Sequence, residues 1–445
     1  MNRRTMSLIG VLLSLVLLSA ACAEEEPDSV SDDSGSSDTS QADGATAELG
    51  TGVTDDTITV GYAYLDFDSL VEQGLSPAGW GDQEAAMQAV VDAANADGGI
   101  NGRMIEVVYD SYTPLGTDEA EAACLRLTED NEVFAVLGGF LGPAEPANPC
   151  IVGRQQTPLV GGVQSSERLA EAEAPWITDR PLRTRQTAIL MDLLDKEGML
   201  DDAEVAVVTS IDAEDVRGEV IATMNEFGVE PVEDLLSDAP VGEIVAEDQV
   251  WSTLAERIRG SGANTVLLVG NPSAGIRNIA SQGLDVDVWV LDQEALQNLG
   301  STVDLASAEG AISAAPLSGQ ALWDDETVAP CREAYEAANP DVEIVEPEDL
   351  TESDEDIPQG LIVACRFFKL FEAVATDAGE GLNNDSFATA VDEIGEFSIP
   401  GQPFASLGPD KTDSNDSFQL VSFDPTIGQD GGLEPLTEIT DVTDN

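Results

Sequence analysis

The hydrophobic pattern changes period twice between Ile58 and Asp110. Ile58-Thr-Val-Gly-Tyr-Ala-Tyr64 is a β-branched strand pattern, and Ile105-Glu-Val-Val-Tyr-Asp110 is another. Between them, after Gly81, runs an Ala-rich segment with apolar Ala86, Val90, Ala93 and Ala94 at helical spacing. Gly98-Gly99 stops that helix, and Asn101-Gly102 supplies a left-handed turn into the second strand, so the segment predicts a βαβ unit. The alternation continues with a helix over 118–128 and a strand over 133–137 that ends in Gly138-Gly139-Phe140-Leu141-Gly142-Pro143. Pro158-Leu-Val then leads into Gly161-Gly162-Val163-Gln164-Ser165-Ser166. The pattern pauses at Trp176 to Pro181 and resumes with helices over 184–196, 217–227, 251–259 and 274–282 and strands over 204–209, 265–269 and 286–291. Strands alternating with helices predict parallel sheets, whose ligands sit beyond the carboxyl ends of the strands.

The N-terminus differs. Arg3 and Arg4 precede an apolar run from Leu8 to Leu18 and then Ser19-Ala-Ala-Cys22, too short for a span of roughly 20 apolar residues and arranged like a secretory signal. Cys22 directly after Ala-Ala resembles the bacterial lipoprotein signal, in which that cysteine is lipidated; the plainer reading is a secretory signal with an incidental cysteine. From Ala23 to Thr51 the chain is Glu, Asp, Ser, Gly and Ala with almost nothing to bury, which predicts a disordered tether.

Composition narrows the partners. The chain carries 86 acidic and 18 basic residues, a formal charge of -68. A surface so negative repels nucleic acid and anionic headgroups. It suits a solvated exterior in a salty or acidic medium, or attraction of cationic ligands. Four cysteines beyond Cys22 permit three pairings; Cys124 with Cys150 and Cys331 with Cys365 are favoured, because each pair lies within one expected lobe and closes a moderate loop. No C-x-x-C supports zinc. The chain has no histidine, no G-x-S-x-G elbow and no Walker loop, so imidazole catalysis and histidine-ligated metals are removed together. No catalytic residue, metal or cofactor is expected.

The run Ala96-Asp-Gly-Gly-Ile-Asn-Gly-Arg103, at its place after the first helix, resembles the type I periplasmic solute-binding proteins, specifically the branched-chain amino acid binding family of ABC transporters. The resemblance covers 57 to about 425 and implies an α/β fold of two doubly wound parallel-sheet lobes joined by a three-segment hinge. On that basis residues 1–21 are signal, 22–51 lipidated cysteine and linker, 52–178 plus 315–420 lobe 1, and 181–311 plus 424–445 lobe 2. Ala311 to Ala315 reads as the return crossing, and Phe418 to Phe423 as the third. The segments 324–339 and 361–377 belong to the first lobe.

The resemblance also implies a site. Trp80, before Gly81, stands where relatives place an aromatic that lines the cleft; otherwise it is a surface-packing side chain. Leu141 and Gly142 in one loop, and Gln164, Ser165 and Ser166 in another, stand where relatives bind the ligand carboxylate through backbone N–H and hydroxyl groups. Ser165 or Ser166 equally suits a helix N-cap. On the second lobe the contacts fall at Asp212 to Arg217, at Asn271, and at Asp292 and Gln293. Asp292 suits a ligand ammonium, and Gln293 stands close to a frequent glutamate. Asn271 and Arg217 stand near the places of ligand-enclosing tyrosines, which points away from an aliphatic amino acid and leaves a small polar solute. Arg180, Arg183 and Arg185, at the first hinge segment, either pair with neighbouring carboxylates or meet an anionic ligand. The expectation is a lipid-anchored, monomeric, extracytoplasmic substrate-binding protein that presents an amino acid or related small polar solute to ABC permease subunits. The rivals are a ligand sensor of the same fold and an extracellular hydrolase.

Overall fold

The computed structural model describes residues 48–351, 353–428 and 430–443; the expected signal, Cys22 and most of the linker lie outside them. The strands are β1 (Thr57–Leu65), β2 (Met104–Tyr112), β3 (Ala135–Gly138), β4 (Leu159–Gly161) and β5 (Trp176–Ile177), which form one sheet in the order β2-β1-β3-β4-β5. All four pairings are parallel. A second sheet takes β6 (Val205–Ser210), β7 (Glu233–Ser237), β8 (Thr265–Val269), β9 (Asp287–Val290) and β10 (Ile312–Ala315). After the hairpin β11 (Gly395–Ile399) and β12 (Gln402–Leu407), the chain adds β13 (Ser417–Asp424), β14 (Gly432–Pro435) and β15 (Thr440–Asp441) to the second sheet, in the order β14-β13-β10-β9-β8-β6-β7 with β15 on β13. The fold is therefore the expected α/β pair of lobes with parallel sheets. Among the described residues, the antiparallel pairings of the second sheet are those that β13 makes with β10, β14 and β15.

The βαβ unit forms as its pattern requires. Asp82 caps the helix Gln83–Ala96 by accepting from the Ala85 N–H at 2.9 Å. The helix buries Met87, Val90, Val91 and Ala94, while Ala93, expected in that stripe, falls at its exposed edge. At Gly99 φ is +68° and a Cβ would lie 1.9 Å from the Arg103 carbonyl oxygen, so only glycine fits. Asn101 and Gly102 have the expected positive φ. Over this helix lies Ile357–Asp377, whose Leu361, Phe368, Phe371 and Val374 are buried in the core that fills one face of the first sheet. Two disulfides, Cys124–Cys150 and Cys331–Cys365, form as expected, and both belong to the cores of the first sheet. The second sheet has its own cores on its two faces, built on Leu190, Leu194 and Val220 on one side and Trp251, Ile258 and Ile276 on the other.

Among the described residues the chain passes between the sheets three times, at 178–182, 316–318 and 408–416. Two of these differ from expectation. Ala311 to Ala315 is strand β10, paired with β9 and β13, and the return passage follows it. Phe418 to Phe423 lies wholly within β13 in the second sheet, so the first lobe ends before 417 and not at 420. Both runs are apolar because they are buried in a sheet interior, where Ala315, Leu420 and Phe423 are nearly inaccessible. The helix expected over 118–128 is Thr117–Leu125, continued as a wider π turn over Arg126–Asp130.

Candidate functional site

The carboxyl ends of the two sheets meet beside the first passage. Arg180, three residues past the end of β5, places Nη1 3.0 Å from one oxygen of Glu294 and 3.1 Å from the other. Glu294 lies in the short helix Gln293–Gln297 that follows β9. Partial burial opposes the guanidinium's charge, but Glu294, Asp179 and Asp292 outweigh it and raise its pKa above the ordinary arginine value. Asp179 is itself buried and pairs with Arg366 at 3.1 Å.

On the first sheet, the loops after β3 and β4 are joined. Glu145 accepts from the Gly142 N–H at 3.2 Å and pairs with Arg168 at 3.0 Å, and the Arg168 N–H donates to Ser165 Oγ at 3.3 Å. The buried Tyr112 hydroxyl donates to the Gly139 carbonyl at 3.1 Å and accepts from the Leu141 N–H at 3.0 Å. Burial raises its pKa well above the ordinary tyrosine range, so the hydroxyl stays protonated. The N–H groups of Leu141 and Gly142, expected to meet a ligand carboxylate, are thus engaged by Tyr112 and Glu145. Ser165 is the N-cap of Ser166–Leu169, and Ser166 is exposed. Gln164 barely faces solvent. It is buried, with Nε2 donating to the Trp176 carbonyl at 2.7 Å and Oε1 accepting from Thr412 at 3.1 Å, so it ties the β4 end to the third passage. Trp80 is half-buried against Phe67, with ring centroids 4.8 Å apart. Its loop is held by Asp356, whose N–H donates to the Gly79 carbonyl at 2.9 Å.

On the second sheet, Ser210 joins two expected residues: its hydroxyl donates to Asp212 and accepts from the Asn271 N–H at 3.1 Å. Gly270 permits this approach, because a Cβ there would lie 2.3 Å from Ser210 Oγ. Asn271 Oδ1 accepts from the Ser273 N–H, and Asp292 caps its helix by accepting from the Ala295 N–H, both at 3.0 Å. Gln293 opens that helix and is half-buried. Arg217 leaves the group. Its Nε pairs with Asp234 of β7 at 2.7 Å, which takes the guanidinium to the outer strand of the sheet.

Sequence reasoning missed Ser210, Tyr112, Glu145 and Glu294, and also a buried charge network under the passages. Arg185 donates to the Asn415 carbonyl at 2.8 Å and the Val442 carbonyl at 3.1 Å and pairs with Asp413 and Asp416. Lys411 reaches the Ser406 and Asp413 carbonyls at 2.7 Å. Pairing with carboxylates was one of the two roles open to Arg180 and Arg185. The signal for the rest was the polar run 411–417, which reads as a solvated loop although Asp413, Ser414, Asp416 and Ser417 are buried.

Comparison with known proteins accords with this architecture. The periplasmic binding protein family matches residues 72–422, and the chain belongs to that family. Among solved structures, an ABC transporter solute-binding protein from R. palustris in complex with 4-hydroxybenzoate is 17% identical with a TM-score of 0.56, over 87% of this chain and 97% of that one. A substrate-binding protein from Desulfitobacterium hafniense in complex with Leu is 14% identical with a TM-score of 0.57, over 86% and 100%. The closed leucine-, isoleucine-, valine-, threonine- and alanine-binding protein from Brucella ovis is 17% identical with a TM-score of 0.58, over 87% and 96%. At these identities the likeness is one of fold. No curated protein matches the chain.

Proposed function

We propose that this chain is the extracytoplasmic substrate-binding lipoprotein of an ABC importer, and that it holds an amino acid or related small polar solute between its two sheets for delivery to a permease. The observation that carries the reading is the Arg180–Glu294 contact, which sets the carboxyl end of β5 beside that of β9. Ligands of parallel α/β sheets bind beyond such ends. Trp80, Asp212, Asn271, Asp292 and Gln293 stand on loops of the same sheet ends, and the three passages form the hinge on which ligand stabilises closure by its higher affinity for the closed state. Membership in the periplasmic binding protein family and the solutes of the structural neighbours, amino acids and hydroxybenzoates, support small-solute capture.

The test is calorimetric titration of the folded chain with leucine, threonine, alanine, 4-hydroxybenzoate and small amides and polyamines. Binding by at least one class, weakened in Trp80→Ala and Asn271→Ala, is expected. Equal affinity in those variants would place the solute elsewhere. The lipid anchor rests on Cys22 alone: Cys22→Ala should abolish detergent-phase partitioning of the processed protein, and unchanged partitioning would remove the anchor.

A further inference from the structure

The passage after β5 carries a guanidinium of which only one nitrogen is used. Arg180 meets Glu294 through Nη1 alone, and among the described residues Nε and Nη2 have no acceptor. The side chain is 44% exposed. The same edge of Arg126 shows what it does with a carboxylate: Nε and Nη2 each lie 2.6 Å from an oxygen of Asp110, a planar two-bond fork. Arg185 uses both terminal nitrogens, Arg277 all three and Arg366 two, whereas Arg180, like Arg154, Arg168, Arg217, Arg257 and Arg332, bonds through one; its place between the carboxyl ends of β5 and β9 is what distinguishes it.

Three donors expected to meet an anion on the first sheet are already taken. The Leu141 and Gly142 N–H groups serve Tyr112 and Glu145, and Ser165 caps its helix. In a chain of formal charge -68, a small anion is repelled unless a cation meets it directly.

We infer that the Nε–Nη2 edge of Arg180 receives a carboxylate of the bound solute, which makes the cargo a small organic carboxylate. The inference rests on the proposed binding role and adds the chemical class and the residue that selects it. Glu294 holds the guanidinium by Nη1 and leaves the Nε–Nη2 edge unbonded among the described residues, and a planar arginine suits this task better than the point charge of a lysine.

Paired probes test it: leucine against leucinamide and benzoate against benzamide, titrated calorimetrically into the full folded chain. In at least one pair the carboxylate should bind about tenfold or more tightly than its amide, a gap worth about 1.4 kcal/mol. Arg180→Gln should abolish that gap with unchanged melting temperature, Arg180→Lys should restore part of it, and Arg183→Gln should leave it intact. Amides that bind as well as acids, or a gap that survives Arg180→Gln, would overturn the inference while leaving solute capture standing. No binding by any probe, nor by the wider solute panel, would overturn both.

Discussion

The carboxylate of Asp413 accepts a hydrogen bond from the backbone N–H of Leu182 at 2.7 Å, across a sequence separation of 231 residues. This one contact ties the third passage between the sheets to the first. Thr178 and Ser414 reinforce it, with the Ser414 N–H donating to the Thr178 carbonyl at 2.8 Å. The hinge strands are therefore a bonded pair and not two independent linkers.

Burial raises the pKa of Asp413 above the ordinary aspartate value of 3.8, and Asp416 adds to the rise, against the opposing pull of Arg185, Lys411 and the Leu182 N–H. From about pH 3.8 up to that raised value the folded chain keeps a proton that the unfolded chain has released, so stability from this group is lost as pH rises through the window. Asp413→Asn cannot lose that proton. Melting temperatures from about pH 4 to pH 8 should show the wild type falling relative to Asp413→Asn as pH rises. Parallel profiles would show that the carboxyl does not titrate abnormally.

Arg185→Ala should destabilise the chain severely. The side chain is 9% exposed and faces Asp413 and Asp416, which are 1% and 0% exposed. Breaking a buried pair by removing one partner leaves an uncompensated charge and costs about 3 to 5 kcal/mol. Urea denaturation at neutral pH measures this, and a loss below about 1 kcal/mol, as for exposed pairs, would mean that water reaches the network.

Gly360 controls the position of Trp80. A Cβ at 360 would lie 2.2 Å from the Trp80 carbonyl oxygen, so Gly360→Ala must displace the Trp80 loop or the helix beneath it. Overpacking of this kind costs about 1 to 3 kcal/mol. Its effect on solute affinity should match in direction that of Trp80→Ala, which removes an aromatic anchor and should weaken binding by more than about 1 kcal/mol. An affinity unaltered in both variants would show that this tryptophan only packs on Phe67.

Loss of Cys124–Cys150, in the double substitution to alanine, should lower stability by about 2 to 5 kcal/mol. Denaturation of the wild type with and without reductant gives the combined effect of both bridges. Coincident curves would mean that neither bridge restrains the unfolded chain.

The βαβ opening was legible because its periods are clean and because Gly99 and Asn101-Gly102 have a single conformational use. Strand β7 was not. Glu233-Asp-Leu-Leu-Ser237 lies at an edge of its sheet, where half its surface meets water, so it lacks the apolar signature of its neighbours. Strands β10 and β13 were recognised as segments but misplaced as crossings, since periodicity reports that a run is buried and not in which sheet. Gln164 shows a further reason for misreading. Its burial depends on Thr412, 248 residues away, and no local pattern announces a partner so distant. Arg217 likewise found Asp234 where family position alone suggested a solute.

The two disulfides have a temporal consequence. The first lobe is assembled from two separate stretches of chain, one ending at β5 and the other beginning after β10. Cys124 and Cys150 both belong to the earlier stretch, while Cys331 and Cys365 both belong to the later one. A polypeptide that emerges N-terminus first can therefore oxidise its first pair before the second pair exists. The order of emergence thus favours the same pairing that sequence distance does.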